Sequence, residues 1–177
     1  MQQEELILVN ELDEPVGVME KMEAHKKGLL HRAFSVFIFN DRGEMLLQQR
    51  APQKYHSANL WTNACCSHPR PGEDTGDAAV RRLNEELGFT AGLKKIFDFT
   101  YRTEFTNGLT EFEFDHVFVG NYNRMVHPDK SEVSDHCFKG LDEIRADLGS
   151  HPAKYTAWFH LAFPMVMKWI GENQFTL

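Results

Sequence analysis

Apolar and polar positions change period several times along the chain, and each change marks an element. Leu6–Val9 and Val16–Met19 are short apolar runs on either side of the polar turn Asn10–Pro15, which predicts a hairpin. Ala33–Phe39 (AFSVFIF) and Met45–Gln49 predict a second strand pair around the turn-forming run Asn40-Asp41-Arg42-Gly43. Trp61–Cys66 predicts one more short strand. From Asp77 to Leu87 the period becomes helical: Ala79, Leu83 and Leu87 recur at spacing four, Asp77 offers an N-cap and Gly88 a C-cap. Lys94–Phe105 and Thr110–Val119 return to strand, joined through Asn107-Gly108. Asp142 is placed to cap a helix to Leu148, and a last helix is expected to begin near Pro164. Strands first, with few interleaved helices, predict an α/β (α+β) fold class, a mixed β-sheet flanked by helices. No repeat, low-complexity tract or Pro/Gly linker interrupts residues 1–177, so a single domain is expected.

Charge and cysteine usage narrow the function classes. A net charge of −7 argues against wrapping nucleic acid, which needs many cationic phosphate contacts. Local Lys and Arg can still hold a small phosphorylated ligand, because net charge describes the whole surface and not one cleft. Cys65, Cys66 and Cys137 make an odd set with two adjacent members, which argues against a disulfide framework and for a reducing compartment. The start, MQQEELILVN, is acidic and has too short an apolar run for a secretory signal. Leu161–Ile170 is too short to span a bilayer and contains Lys168. The expectation is a cytoplasmic monomer with no membrane insertion.

Three segments carry candidate chemistry. In Glu111-Phe112-Glu113-Phe114-Asp115 a strand period sends the three acids to one face and the two phenylalanines, by expectation, to the core. A solvated acidic face is the bland reading, but aligned like charges repel and a bound cation relieves that. In Cys66-Ser67-His68 the same period puts Cys66 and His68 together and Cys65 opposite, as a small buried apolar residue. His25 and His31 flank Lys26–Leu30. Three imidazoles (His25, His31, His68) with two carboxylates (Glu111, Glu113) would fill five of six octahedral positions around Mn²⁺, Mg²⁺ or Zn²⁺.

The densest pattern is SHPRPGEDTGDAAVRRLNEELGF. Against the Nudix signature, Glu73, Arg81, Leu83, Glu85, Glu86, Gly88 and Phe89 stand in register, while Ser67 replaces the first Gly and Arg82 an acid. The physical logic is a helix presenting carboxylates to a divalent cation on a diphosphate. A salt-bridged surface helix, with Arg81–Glu85 and Arg82–Glu86 at spacing four, is the plain alternative. Arg82 weakens a hydrolytic metal cluster and adds a cation for a phosphate.

Together with GLLHRAFSVFIFN, LLQQR, WTNACCSHP, RRLNEELG and EFEFDHVF, these segments resemble the type 1 isopentenyl diphosphate isomerases from Lys21 to Trp158. The resemblance implies a Nudix-type fold. It also implies reversible 1,3-allylic isomerisation of isopentenyl diphosphate to dimethylallyl diphosphate, for isoprenoid biosynthesis, by antarafacial proton addition and removal. By position, Cys66 and Glu113 match the catalytic pair, with Tyr101 supporting Glu113. His25, His31, His68, Glu111 and Glu113 match a tight metal site, and Glu86 a ligand of a second ion, Mg²⁺, arriving with the diphosphate. Lys21, Arg50, Lys54 and Arg82 match cations around the diphosphate, and Trp158 an aromatic near the isoprenyl group. Both departures from the Nudix signature occur in the isomerases. Two rivals remain at this level: a Nudix hydrolase, and a non-catalytic domain stabilised by zinc. Which of Cys66 and Glu113 delivers the first proton is also open.

Overall fold

The computed structural model describes residues 4–173. In chain order the elements are β1 (Glu5–Val9), β2 (Pro15–Glu20), α1 (Lys21–Lys27), β3 (His31–Phe39), β4 (Met45–Arg50), β5 (Trp61–Thr62) and β6 (Cys65–Ser67). Then follow α2 (Thr75–Leu87), β7 (Leu93–Glu104), β8 (Thr110–Asn121), β9 (Val133–Lys139), α3 (Leu141–Ser150), a 3-10 turn (Pro152–Lys154) and α4 (Ala157–Asn173). The strands form one mixed sheet: β3 and β8 run parallel through a nine-residue register, His31–Phe39 on Glu113–Asn121, and the remaining pairs are antiparallel.

β3 shows why the sheet sits where it does. Its residues are buried on both faces, so the run AFSVFIF is apolar without alternation. Phe34, Val36 and Ile38 pack with Ala78, Ala79, Leu83 and Leu87 of α2. Phe37 and Phe39 face the other way, onto Ile144 of α3 and Phe159, Ala162, Phe163 and Val166 of α4. Each buried Val, Leu, Ile or Phe among them stabilises the fold by about 1.5–3 kcal/mol relative to exposure. The result is helix, sheet, helix in three layers.

Several expectations need correction at the ends of elements. α2 starts earlier, because Asp74 and not Asp77 accepts from the backbone N–H of Gly76 and Asp77. Gly140, not Asp142, is the N-cap of α3; Asp142 lies in the first turn, where a negative charge favours the helix dipole. Trp61–Cys66 divides into β5 and β6 because the Asn63 side chain turns inward and donates to Val36 O and Cys65 O, both at 3.0 Å. α4 begins at Ala157 with Pro164 inside it. Burial of Trp158, Phe159, Ala162, Phe163 and Val166 on one face outweighs the roughly 3 kcal/mol that an internal proline costs. Two elements had no signal: α1 is short and rich in Lys, Glu and His, and β9 (VSDHCFK) is held in place by pairing with β4.

Candidate active site

Three adjacent strands put the acidic face and its partners in register. His31 on β3 lies opposite Glu113 on β8, and Glu113 opposite Tyr101 on β7. Glu111, Glu113 and Asp115 are buried while Phe112 and Phe114 are only half-buried, the reverse of the expected arrangement. The acidic face is roofed by α1 and the loop between β4 and β5, so its carboxylates meet imidazoles where a core would offer methyl groups. α1 is capped at its start by the Glu20 carboxylate, which accepts from Met22 and Glu23 N–H. It ends at Gly28 with φ +60°, a turn that sends the chain back into β3 and leaves the His25 and His31 rings 4.9 Å apart.

A divalent ion fits this arrangement. His25 Nδ1 lies 2.7 Å from Lys21 O and His31 Nδ1 2.8 Å from Leu29 O, which places a proton on each Nδ1 and a lone pair on each Nε2. Both Nε2 atoms are buried without a hydrogen-bond partner. Potential ligand atoms of His25, His31, His68 and Glu113 lie within 4.8 Å of one another. Burial lowers His25 and His68 to about 4, so both imidazoles are neutral and able to bind a cation. Glu111 stands beside this set, with His56 Nε2 2.9 Å from its Oε1. Burial, and then the charge of Glu113, pushes Glu111 up to about 8. Burial also acts to raise Glu113, but contacts with His31 and His68 hold it well below the ordinary range. Tyr101 OH bridges the two acids, donating to Glu113 Oε2 at 2.6 Å or Glu111 Oε2 at 3.0 Å.

Across β3 from Glu113 stands Cys66, in register with Ser35. Its thiol donates to Asn63 Oδ1 (3.1 Å) and its sulfur accepts from Trp158 Nε1–H (3.0 Å). Both Asn63 amide hydrogens are spent on Val36 O and Cys65 O, so its oxygen must face the thiol. Ser35 Oγ lies 3.5 Å from Cys66 Sγ and donates to Asp115 Oδ2 at 2.7 Å. Burial, and then the nearby Asp115 carboxyl, raises the Cys66 thiol far above its usual value, so at neutral pH it carries its proton. Cys65 faces the opposite way, fully buried among Phe34, Leu83 and Leu87.

The cations converge as well. Lys21, Arg50, Lys54 and Arg82 line the same cavity of about 40 Å³ as Cys66, Tyr101, Glu111, Glu113 and Trp158. A wider groove of about 780 Å³ adjoins it and shares His68 and Arg82. Lys21 pairs with Glu4 at 2.9 Å, Lys54 with Glu132, and Arg50 lies over the Trp158 ring at 5.2 Å. Glu86 is not brought to the His/Glu cluster. It is buried on α2, where Oε1 accepts from Arg82 (2.7 Å) and Oε2 from Gln48 (2.9 Å). The expected pairs Arg81–Glu85 and Arg82–Glu86 both form, and Glu73 braces Arg81 at 2.7 Å. Period and spacing in the sequence mark neither His56, Asn63 nor Ser35 as a site residue. Asn63 lies inside WTNACCSHP, but one histidine among nine carries no signal of its own.

Residues 29–159 match the NUDIX domain family. An isopentenyl-diphosphate Delta-isomerase of Pectobacterium atrosepticum is 50 % identical over 162 residues, 92 % of this chain and 90 % of the relative. One from Burkholderia multivorans is 45 % identical over 172 residues, covering 94 % and 98 %. The chain belongs to the isopentenyl-diphosphate Delta-isomerase family. Among solved structures, a Deinococcus radiodurans protein superposes with a TM-score of 0.73 at 20 % identity, covering 89 % of this chain and 96 % of its own, which shows the fold alone. This isomerase family member therefore carries its site on a NUDIX fold whose signature helix, α2, packs beneath Cys65 and lends the site Arg82.

Proposed function

We propose that the chain interconverts isopentenyl diphosphate and dimethylallyl diphosphate, with Cys66 and Glu113 as the two proton-exchanging groups. The observation that carries this is a single cavity lined by a protonated thiol, a carboxylate bound to a tyrosine, an indole and four cations. Moving a double bond along an allyl unit requires a proton added at one carbon and another removed two carbons away. Two acid/base groups on separate strands can serve different carbons. Cys66 holds a proton between Asn63 and Trp158; Glu113 exchanges one with Tyr101. The Trp158 face excludes water and stabilises positive charge developing at the branched carbon. Lys21, Arg50, Lys54 and Arg82 anchor the diphosphate away from the reacting carbons, where binding energy becomes orientation.

The residues that would hold a tight divalent ion are His25, His31, His68, Glu111 and Glu113; their N₃O₂ set suits Zn²⁺ or Mn²⁺, with Mg²⁺ the harder alternative. Such an ion supplies fixed positive charge beside Glu113. A second ion, Mg²⁺, at Glu86 would take its other oxygens from the diphosphate, as Mg²⁺ commonly does. Incubation with isopentenyl diphosphate and Mg²⁺, followed by product analysis, tests the assignment. Acid-labile allylic diphosphate is the expected result. Released phosphate would indicate a hydrolase, and unchanged substrate a domain without this activity.

A further inference from the structure

His56 lies on the loop between β4 and β5. Its side chain is 2 % exposed, and the ring stacks on Phe105 at 4.6 Å with planes 9° apart and meets Trp158 edge-on at 5.9 Å. Nδ1 is 3.2 Å from Ser57 Oγ. Nε2 stands 2.9 Å from Glu111 Oε1, yet the pair lacks the direction of a hydrogen bond and Nε2 is left without a partner. Two atoms this close that do not aim at each other are arranged as neighbouring ligands are. Donors at right angles around a cation, each about 2.1 Å from it, stand about 3 Å apart.

A second relation joins this pair to the site already described. Ligand atoms of His25, His56 and Glu111 lie within 4.8 Å of one another, and His25 also belongs to the set with His31, His68 and Glu113. His25 Nδ1 is committed to Lys21 O, so Nε2 is its one available lone pair. One lone pair binds one ion, and His25 is the member the two sets share, so an ion held at His25 Nε2 lies beside both sets. We propose that His56 is a sixth protein ligand of the divalent ion held by His25, His31, His68, Glu111 and Glu113. This inference rests on the metal-dependent isomerase reading and adds a ligand to it.

Two consequences follow from the chain's own residues. With His56 the protein would offer the ion four imidazoles and two carboxylates, and the ion would supply fixed positive charge that holds Glu111 and Glu113 in place. The loop that carries His56 also carries Lys54, and its His56 carbonyl accepts from Arg50 at 3.1 Å. Metal binding is thereby tied to the placement of two diphosphate cations.

The test uses the full chain, stripped with a chelator and retitrated with Zn²⁺ and Co²⁺ against a competing chelator. His56→Phe keeps the stack on Phe105 and removes the nitrogen; His56→Gln is the second variant, should the first fail to fold. His25→Ala serves as the reference for loss of a ligand. The expected result is at least a tenfold weaker affinity in both His56 variants, with stronger visible Co²⁺ absorption as coordination falls below six. Unchanged affinity and an unchanged Co²⁺ spectrum in a folded His56 variant would overturn the proposal and leave His56 as a packing ring. Isomerisation by the unmodified chain is measured on the same preparation. If that activity is present, unchanged binding defeats only the sixth ligand; if it is missing, the isomerase reading itself fails.

Discussion

Cys65 and Cys66 are neighbours in sequence and have nothing in common in their surroundings. Cys65 fills a fully buried position against α2, whereas Cys66 holds its thiol between an amide oxygen and an indole N–H. Cys66→Ala is expected to lower isomerisation by about 10²- to 10⁴-fold, the usual loss for a positioned acid/base group, because a methyl group carries no exchangeable proton. Cys65→Ala is expected to retain most activity and to cost roughly 1 kcal/mol of stability, a typical packing loss. Paired rate assays and denaturation curves check both. An epoxide of the isoprenyl diphosphate should alkylate Cys66, with peptide mass spectrometry locating the adduct. An adduct on Cys65 or Cys137, or an active Cys66→Ala enzyme, would remove the thiol from the mechanism.

At the scale of elements, α2 joins the core to the cavity through Arg82. Its guanidinium contacts Glu85 (2.8 Å), buried Glu86 (2.7 Å) and Glu132 (3.5 Å) while lining the cavity. Arg82→Ala should raise KM for isopentenyl diphosphate or lower kcat. It should also cost about 1–3 kcal/mol, because Glu86 is left as a buried, poorly satisfied acceptor. The sequence pattern alone implied only a few tenths, as for an exposed helix pair. Unchanged kinetics with reduced stability would make Arg82 purely structural. Far from the site, Asp147 ties α3 to its neighbours. Tyr155 OH donates to it (2.8 Å), as do His151 (2.8 Å), Lys154 (3.3 Å) and, from β9, Lys139 (3.3 Å). These bonds, the tyrosine's first, hold its carboxyl well below the usual range. A carboxyl that titrates lower when folded contributes stability fully above its unfolded value, near 3.9, and loses it as pH falls through the folded value. Asp147→Asn should therefore lower stability by about 1 kcal/mol at pH 7, screened by solvent. The gap to the unsubstituted chain should close on acidification below about pH 4; a pH-independent gap would refute the assignment.

For the molecule as a whole, an ion bound at the His/Glu cluster would act as a crosslink. His25 comes from α1, His31 from β3, His68 from the segment after β6, and Glu111 and Glu113 from β8. Bringing these together orders α1, which has little helical stability of its own at seven residues. An ion present at a thousandfold its dissociation constant would stabilise the fold by about 4 kcal/mol. Chelation should lower Tm by several degrees, and restoring the ion should reverse the loss. A Tm unmoved by full removal, verified by elemental analysis, would mean the cluster holds no ion that matters to folding.

How much was legible in the sequence divides along physical lines. Local pattern sufficed for β1–β4, α2, β7 and β8, because period and turn chemistry are properties of neighbouring residues. It also sufficed to set Cys66 apart from Cys65, since strand parity is local. Register in the signature segment, together with WTNACCSHP, was enough to indicate the family. No such signal existed for α1, β9 or the early start of α4, whose conformations are set by what they pack against: buried imidazole, the edge of β4, and the core beyond β3. The direction in which Phe112 and Phe114 point was also a tertiary decision. Period two separates acids from phenylalanines but does not say which face is covered, and here α1 and the loop after β4 cover the acids. His56 is the sharpest case. Nothing adjacent to it in the chain marks it, and only closure of that loop over β8 brings its nitrogen to Glu111 and His25.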